Sequence, residues 1–191
     1  MSGAVMSGLL DNNGRGALLS ECGRYRYRLW RIWDDLAPMM VWVMLNPSTA
    51  DADADDPTIR KCVGFARQHK HGGIIVANLF AWRATEPREL LSARDPVGPD
   101  NNHHIAWATG APLLATVVAG WGRLPSRKFQ ERANQVEVLI RSRRTPHTFG
   151  VTQDGQPRHP LMLAYATPLI PLGSRRDGTR PEVLGRKGMG E

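Results

Sequence analysis

The feature that most constrains this chain is an unbroken apolar run from Met39 to Leu45 that stops at Asn46-Pro47-Ser48-Thr49. A run of this length without alternation is the pattern of a strand buried on both faces. Pro47 lacks an N–H and cannot extend a ladder, so the chain turns there. Asp51, Asp53, Asp55 and Asp56 follow, and Asp56-Pro57 reads as a helix N-cap with proline at the first helical position. A buried strand ending in a polar turn that feeds a helix is where α/β folds place their chemistry. The alternative is a plain connector, which has little use for so many side-chain donors and acceptors.

The same alternation continues along the chain. Ile59, Cys62, Val63 and Ala66 repeat at helical spacing, and Gly72-Gly73 end that helix. Residues 74–80 form a second buried strand carrying Asn78, a polar residue that must find partners or destabilise the fold. Short helices are expected over 88–93, opened by Pro87, and over 101–109, capped by Asp100. Residues 113–119 make a third buried strand, ending in Gly120-Trp121-Gly122. From Ser126 a helix runs to about Arg143, with Phe129, Ala133, Val136 and Ile140 as its buried stripe, and residues 147–151 form a short fourth strand. Strands alternating with helices imply a three-layer α/β/α fold with a central, mainly parallel four-stranded sheet. In such a sheet the loops 46–56, 80–86 and 120–126 converge on one edge. No P-loop is present, and no Gly-x-Gly-x-x-Gly follows a strand.

Ahead of the central run, Tyr25, Tyr27 and Leu29 alternate with Arg24, Arg26 and Arg28. A period of two predicts a half-exposed strand with an arginine face, either a solvated edge or a phosphate contact. Residues 1–23 read as a flexible lead-in, 24–172 as a single α/β domain, and 173–191 as a disordered, Gly/Arg-rich tail.

Charge narrows the partner. The chain has 191 residues and a formal net charge of +7, from 25 Lys+Arg against 18 Asp+Glu, and the basic residues are mostly arginine. Arginine suits phosphate, which points to nucleic acid or a nucleotide; a merely basic soluble protein is the alternative. Cys22 and Cys62 make no disulfide framework, and neither a signal peptide nor a bilayer-spanning run is visible. A cytoplasmic monomer without membrane contact is expected. The histidine pairs 69/71 and 103/104 lack a ligand constellation, so no metal and no cofactor is expected.

Five segments carry a resemblance: Leu45-Asn-Pro-Ser-Thr-Ala-Asp51, Asp56-Pro-Thr-Ile-Arg60, Asn78-Leu-Phe-Ala-Trp-Arg-Ala-Thr85, Asp95-Pro-Val-Gly-Pro-Asp100 and Arg158-His-Pro-Leu161. Together, over roughly residues 24–172, they resemble domain-of-unknown-function family 1643, an uncharacterised bacterial and phage group. That likeness implies membership and no established activity. The order of motifs is also similar to the uracil-DNA glycosylase superfamily, which implies a four-stranded parallel sheet between helices. Met44-Leu45-Asn46-Pro47-Ser48 looks like the Gly-Ile-Asn-Pro-Gly of its mismatch-specific branch, whose Asn holds the attacking water. Asn78 through Trp82-Arg83-Ala84 resembles the strand-ending Asn that reads the base and the Val-Arg-Ala segment after it. Trp121-Gly122 resembles a later strand end, and His159-Pro160-Leu161 a shortened His-Pro-Ser-Pro-Leu loop, whose His bonds the departing base. The aspartate of the uracil-specific first motif is absent, and the Tyr that keeps thymine out is Ser48 here, which implies a roomier pocket.

The resemblance implies cleavage of a base–sugar bond. Such a site must stabilise the departing base anion and position water. His159 would donate to the base carbonyl, a contact typically worth ~3 kcal/mol. Asn46 would orient water, and Asp51 is the nearest carboxylate to take its proton, with Asp55 or Asp56 behind it. Asn78 would read the base edge, Phe80 or Trp82 would stack on it, and Arg83 and Arg158 would hold phosphates. Ser48, Thr49 and Trp121 complete the expected substrate-binding set, and Met162 or Leu163 would wedge into a duplex. Each residue also has a plain structural alternative: a turn cap for His159, backbone partners for Asn78, a solvated loop for 51–56, core for Trp121. Two other function classes stay open: a nucleic-acid or modified-base binding module that lost catalysis, and a hydrolase of free nucleosides or nucleotides.

Overall fold

The computed structural model describes residues 14–48, 54–84, 86, 89–110 and 114–173. Among them the chain runs β1 (Arg15–Leu19), β2 (Arg26–Ile32), β3 (Met39–Met44), α1 (Pro57–Gln68), β4 (Gly73–Asn78), α2 (Glu89–Ser92), α3 (Asn101–Gly110), β5 (Leu114–Ala119), α4 (Arg127–Arg141), β6 (Pro146–Thr148), a 3-10 turn (Pro160–Met162) and β7 (Ile170–Pro171). The described strands form one seven-stranded sheet in the order β1-β2-β4-β3-β5-β6-β7.

The apolar run places β3 deep in this sheet, with all six residues buried. Its two faces serve two cores. Met40, Trp42 and Met44 join Ile59, Cys62, Phe65 and Ala66 of α1, together with Phe149 and Leu163. Val41 and Val43 join Leu90 of α2, Ile105 and Ala108 of α3 and Phe129, Ala133, Val136 and Ile140 of α4. Helices therefore cover both faces, which is why β3 shows no alternation. Trp42 stacks on Phe149 at 5.6 Å, and Phe65 fills the remaining space 4.2 Å from Phe149.

Local chemistry fixes the element ends. Asp56 caps α1 by accepting from Ile59 N–H at 2.8 Å, ahead of Pro57. Gly72 leads into β4 where a Cβ would meet the Asp34 carbonyl oxygen at 1.9 Å, so only glycine fits.

Strand directions place the functional edge. β3 runs parallel to β4 on one side and to β5 on the other, and β5 runs parallel to β6. After β3 the chain goes to one neighbour first and reaches the other later. The C-terminal end of β3 is thus the point where the strand order reverses and a crevice opens.

Three expectations are corrected. The sheet is not four-stranded: β2 pairs antiparallel with β4, β1 antiparallel with β2, and β7 antiparallel with β6. Residues 15–19, expected within a flexible lead-in, are strand β1, whereas residues 1–13 lie outside the described residues. The arginine strand is no solvated edge, because β1 pairs along it and six of its seven residues are buried. Its arginines find partners that the alternation could not reveal. Arg31 Nε donates to Asp55 at 2.8 Å, and Arg28 lies over the Trp107 ring at 3.8 Å. The tail from residue 174, Pro87 and Arg88 also lie outside the described residues.

Candidate functional site

The segments after β3 and β5 and the start of α1 enclose a cavity of about 230 Å³. Asn46 and Ser48 come from the turn after β3, Trp121 from the segment after β5, and His159 from the loop leading into the 3-10 turn. Asp56, Thr58 and Ile59 bring the N-terminal end of α1, while Arg26, Met44 and Leu45 complete the lining. Four residues expected at the site from sequence, Asn46, Ser48, Trp121 and His159, therefore share one cavity.

Asn46 is held by its nitrogen. Nδ2 donates to the Pro47 carbonyl at 3.0 Å and to the Ala84 carbonyl at 2.8 Å. Both amide hydrogens are spent, which fixes the flip and leaves Oδ1 as an acceptor. Ala84 N–H closes the same knot on the Pro47 carbonyl at 3.2 Å.

His159 is fixed by its other ring nitrogen. Nδ1 accepts from Leu161 N–H at 3.4 Å, so the neutral ring carries its proton on Nε2 and donates from there. Burial lowers the His159 pKa, and the Asp56 charge partly opposes this. The imidazole is thus a neutral donor near pH 7. Gly122 allows the close approach: its φ is +74, a Cβ there would lie 3.1 Å from His159 Cβ, and its N–H donates to the Pro157 carbonyl at 2.9 Å.

Trp121 is 2% exposed and donates Nε1–H to Gln156 Oε1 at 3.0 Å; Gln156 in turn donates to Gln130 of α4 at 2.7 Å. The indole is therefore a fixed wall. Asp56 caps α1 with one carboxylate oxygen, Oδ1, and its charge reaches His159.

Asn78 ends β4 as the Cα partner of Met44 and is completely buried. Neither Nδ2 nor Oδ1 has a hydrogen-bond partner. Its backbone is firmly held, since Asn101 Nδ2 donates to the Asn78 and Leu79 carbonyls at 3.0 Å each, and buried Arg132 Nε donates to the Leu79 carbonyl at 2.8 Å. Burial brings Arg132 down to about 10, still charged at neutral pH.

Other expected residues fall elsewhere. Phe80 is core, packed edge-on against Phe129 at 4.6 Å, and cannot stack on a ligand. Trp82 packs against Tyr25 at 5.5 Å outside the cavity lining. Arg83 is exposed and donates to the Gly23 carbonyl at 3.3 Å, and Arg158 is exposed beside His159. Leu163 is core at 4% exposure, so Met162, 71% exposed, is what remains of the expected wedge. Asp55 is committed to ion pairs with Arg15 and Arg31. Thr49 and Asp51 lie outside the described residues.

The sequence assigned no role in the site to Thr58, Asn101, Arg132 and Gln156, and named Arg26 only as part of an arginine face. Alternation set Arg26 on a half-exposed face, and its burial beside the cavity is seen only in the structure. Among the described residues no group of three or more His, Cys, Asp or Glu side chains is placed to hold a metal ion. No helix among them is long and apolar enough to cross a membrane.

Residues 26–161 match the model of a family described as a protein of unknown function, DUF1643. No curated protein and no solved structure matches the chain.

Proposed function

The chain belongs to the DUF1643 family, and from that premise we propose that it is an N-glycosidase of the uracil-DNA-glycosylase type, which hydrolyses the bond between a base and its sugar in DNA or a nucleotide. The observation that carries this reading is the meeting of Asn46, Asp56, Trp121 and His159 around one small cavity. The parallel order β4-β3-β5-β6 and the placing of the motif loops at its C-terminal edge support the superfamily likeness.

The chemistry follows from the atoms available. A water whose hydrogen bonds to Asn46 Oδ1 attacks the anomeric carbon. The C–N bond breaks, and its electron pair leaves with the base. His159 Nε2–H donates to a carbonyl oxygen of that base and stabilises the anion. Donors fixed before the reaction act this way without reorganisation. Asp56 takes the proton from water through the carboxylate oxygen not used for capping. Asp56 stands in for Asp51 as the described carboxylate lining the cavity. Trp121 and Ile59 form apolar walls for a planar ring, and Ser48 leaves room beside them. Exposed Leu161 and Met162 come just after His159-Pro160 and would meet a duplex, with Arg158 for its phosphates.

One observation favours a second reading, a binding module without turnover: the Asp56 carboxylate is already engaged in holding α1.

Base release measured by mass spectrometry separates these readings. Single- and double-stranded DNA carrying uracil, mismatches or bulky modified pyrimidines would be offered, with free nucleosides alongside. Release that disappears in both Asn46→Ala and His159→Ala establishes the glycosidase. Salt-dependent DNA retention without release establishes the binding module. Release from free nucleosides alone places the substrate outside polymeric DNA.

A further inference from the structure

A second cavity, of about 570 Å³, opens where the turn between β1 and β2 meets the start of α3. It shares no lining residue with the cavity at Asn46. Its walls include Leu19 at the end of β1, Cys22 in the turn, Tyr25 and Tyr27 at the start of β2, and Asp100 and His104 at the start of α3.

A bulge in β2 builds the aromatic wall. Along β1, Leu18 faces Arg28, but the next residue, Leu19, faces Arg26, so Tyr27 is the extra residue. Simple alternation would give Tyr27 the face of Leu29, which packs toward α1. The bulge re-aims it toward α3, with its ring 4.6 Å from that of His104. Tyr25 stacks on Tyr27 at 6.1 Å with the rings nearly parallel. The Tyr25 hydroxyl donates to the Asp95 carbonyl at 3.1 Å and its N–H to Ser20 Oγ at 3.1 Å, which holds the ring in place.

Charge is an independent sign. In a chain of formal net charge +7, the charged side chains on this wall are the carboxylates of Glu21 and Asp100. Among the described residues no lysine or arginine lines it. His104 adds no charge near pH 7, because burial, and then the Arg28 and His103 charges, bring it down to about 4. Burial first and the Asp100 charge second raise the Tyr27 pKa, so that ring stays a neutral phenol. Of the neighbouring arginines, Arg28 lies over the Trp107 ring at 3.8 Å and Arg24 is exposed.

We infer that this second cavity binds a small organic cation, an ammonium group carried on an apolar or aromatic body. Aromatic rings attract a cation through their quadrupole, and the Glu21 and Asp100 carboxylates supply charge-assisted hydrogen bonds to an ammonium. Leu18, Leu19 and Pro99 are the apolar surface for its body, and Leu19 is otherwise left 41% exposed. A space of about 570 Å³ is in the range of small-molecule sites. The inference does not depend on base release at the Asn46 cavity.

The test is calorimetry on the full chain with three probes of one shape and different charge: phenethylammonium, phenethyl alcohol and phenylacetate. The cation is expected to bind about tenfold more tightly than the alcohol, with phenylacetate weakest. Cys22 locates the binding. The chain has two cysteines, and Cys62 is fully buried, so alkylation by iodoacetamide reads Cys22 on the cavity wall. Bound phenethylammonium should slow that alkylation in proportion to occupancy, followed by intact mass. Glu21→Gln combined with Asp100→Asn keeps side-chain size and should erase the preference for the cation. Tyr25→Leu should weaken the cation more than the alcohol. Equal affinity for cation and alcohol, binding of no probe, a preference that survives the double substitution, or cation binding that leaves Cys22 alkylation unchanged each overturns the inference. If the double substitution fails to fold by circular dichroism, the order of the three probes on the native chain and the protection of Cys22 decide.

Discussion

Asp56 combines two roles that substitution can separate. It caps α1 and it lines the cavity opposite His159. Asparagine caps nearly as well as aspartate, so Asp56→Asn should change stability by only a few tenths of a kcal/mol, whereas Asp56→Ala should cost ~1 kcal/mol. Both should lose base release if the carboxylate takes the water's proton; full activity in Asp56→Asn would remove it from the mechanism. The same substitution removes the charge that opposes the burial effect on His159, so the His159 pKa, followed by NMR, should fall further. Asn46 allows a sharper contrast. Asn46→Ala loses the water acceptor, with turnover expected to drop ~100-fold. Asn46→Asp keeps the shape but sets an oxygen against the Pro47 and Ala84 carbonyls, and should be less stable than Asn46→Ala by ~1–3 kcal/mol in chemical denaturation.

Among the elements, the segment after β5 shows how backbone geometry serves the site. Gly122 sits at φ +74 against His159 Cβ. Gly122→Ala should cost ~1–2 kcal/mol through left-handed strain and displace His159. Activity should therefore fall more than the loss of folded protein explains, and kcat should suffer more than KM. Equal kinetics in the folded variant would separate His159 from this turn. Several elements were legible in the sequence for a direct reason. The Met39–Leu45 run, the Asp56-Pro57 cap and the Phe129–Ile140 stripe are local patterns set by burial and capping, and each appears where the pattern places it. β1 was not legible, because a strand of Arg, Gly, Ala and Leu exists only through its pairing with β2.

At the level of the molecule, buried and half-buried histidines tie stability to pH. Burial lowers the pKa of His71, of His159 and of His104, the last to about 4. These groups resist protonation in the folded chain and accept it near 6.5 when unfolded. Between those values the unfolded state binds more protons, so stability rises with pH. The contribution is present above about pH 6.5 and is lost progressively as pH falls toward 4. Urea midpoints should decline over that window, and His104→Gln should flatten the decline, because the His104 ring packed on Tyr27 is the strongest of the three shifts. A midpoint independent of pH from 7 to 5 would contradict the burial of these rings.

The sequence by itself determined the α/β class, the buried central strand, its polar turn and the family likeness, since each rests on residues close in the chain. It also named Asn46, Ser48, Trp121 and His159, which the fold gathers at one cavity. Only the tertiary structure decided that Phe80 belongs to the core, that Asp55 is spent on Arg15 and Arg31, and that Arg26 faces the cavity. The reason is physical. Burial and periodicity are written locally, but the direction in which a polar side chain points depends on pairings between distant strands. At Tyr27 a single extra residue reverses that direction.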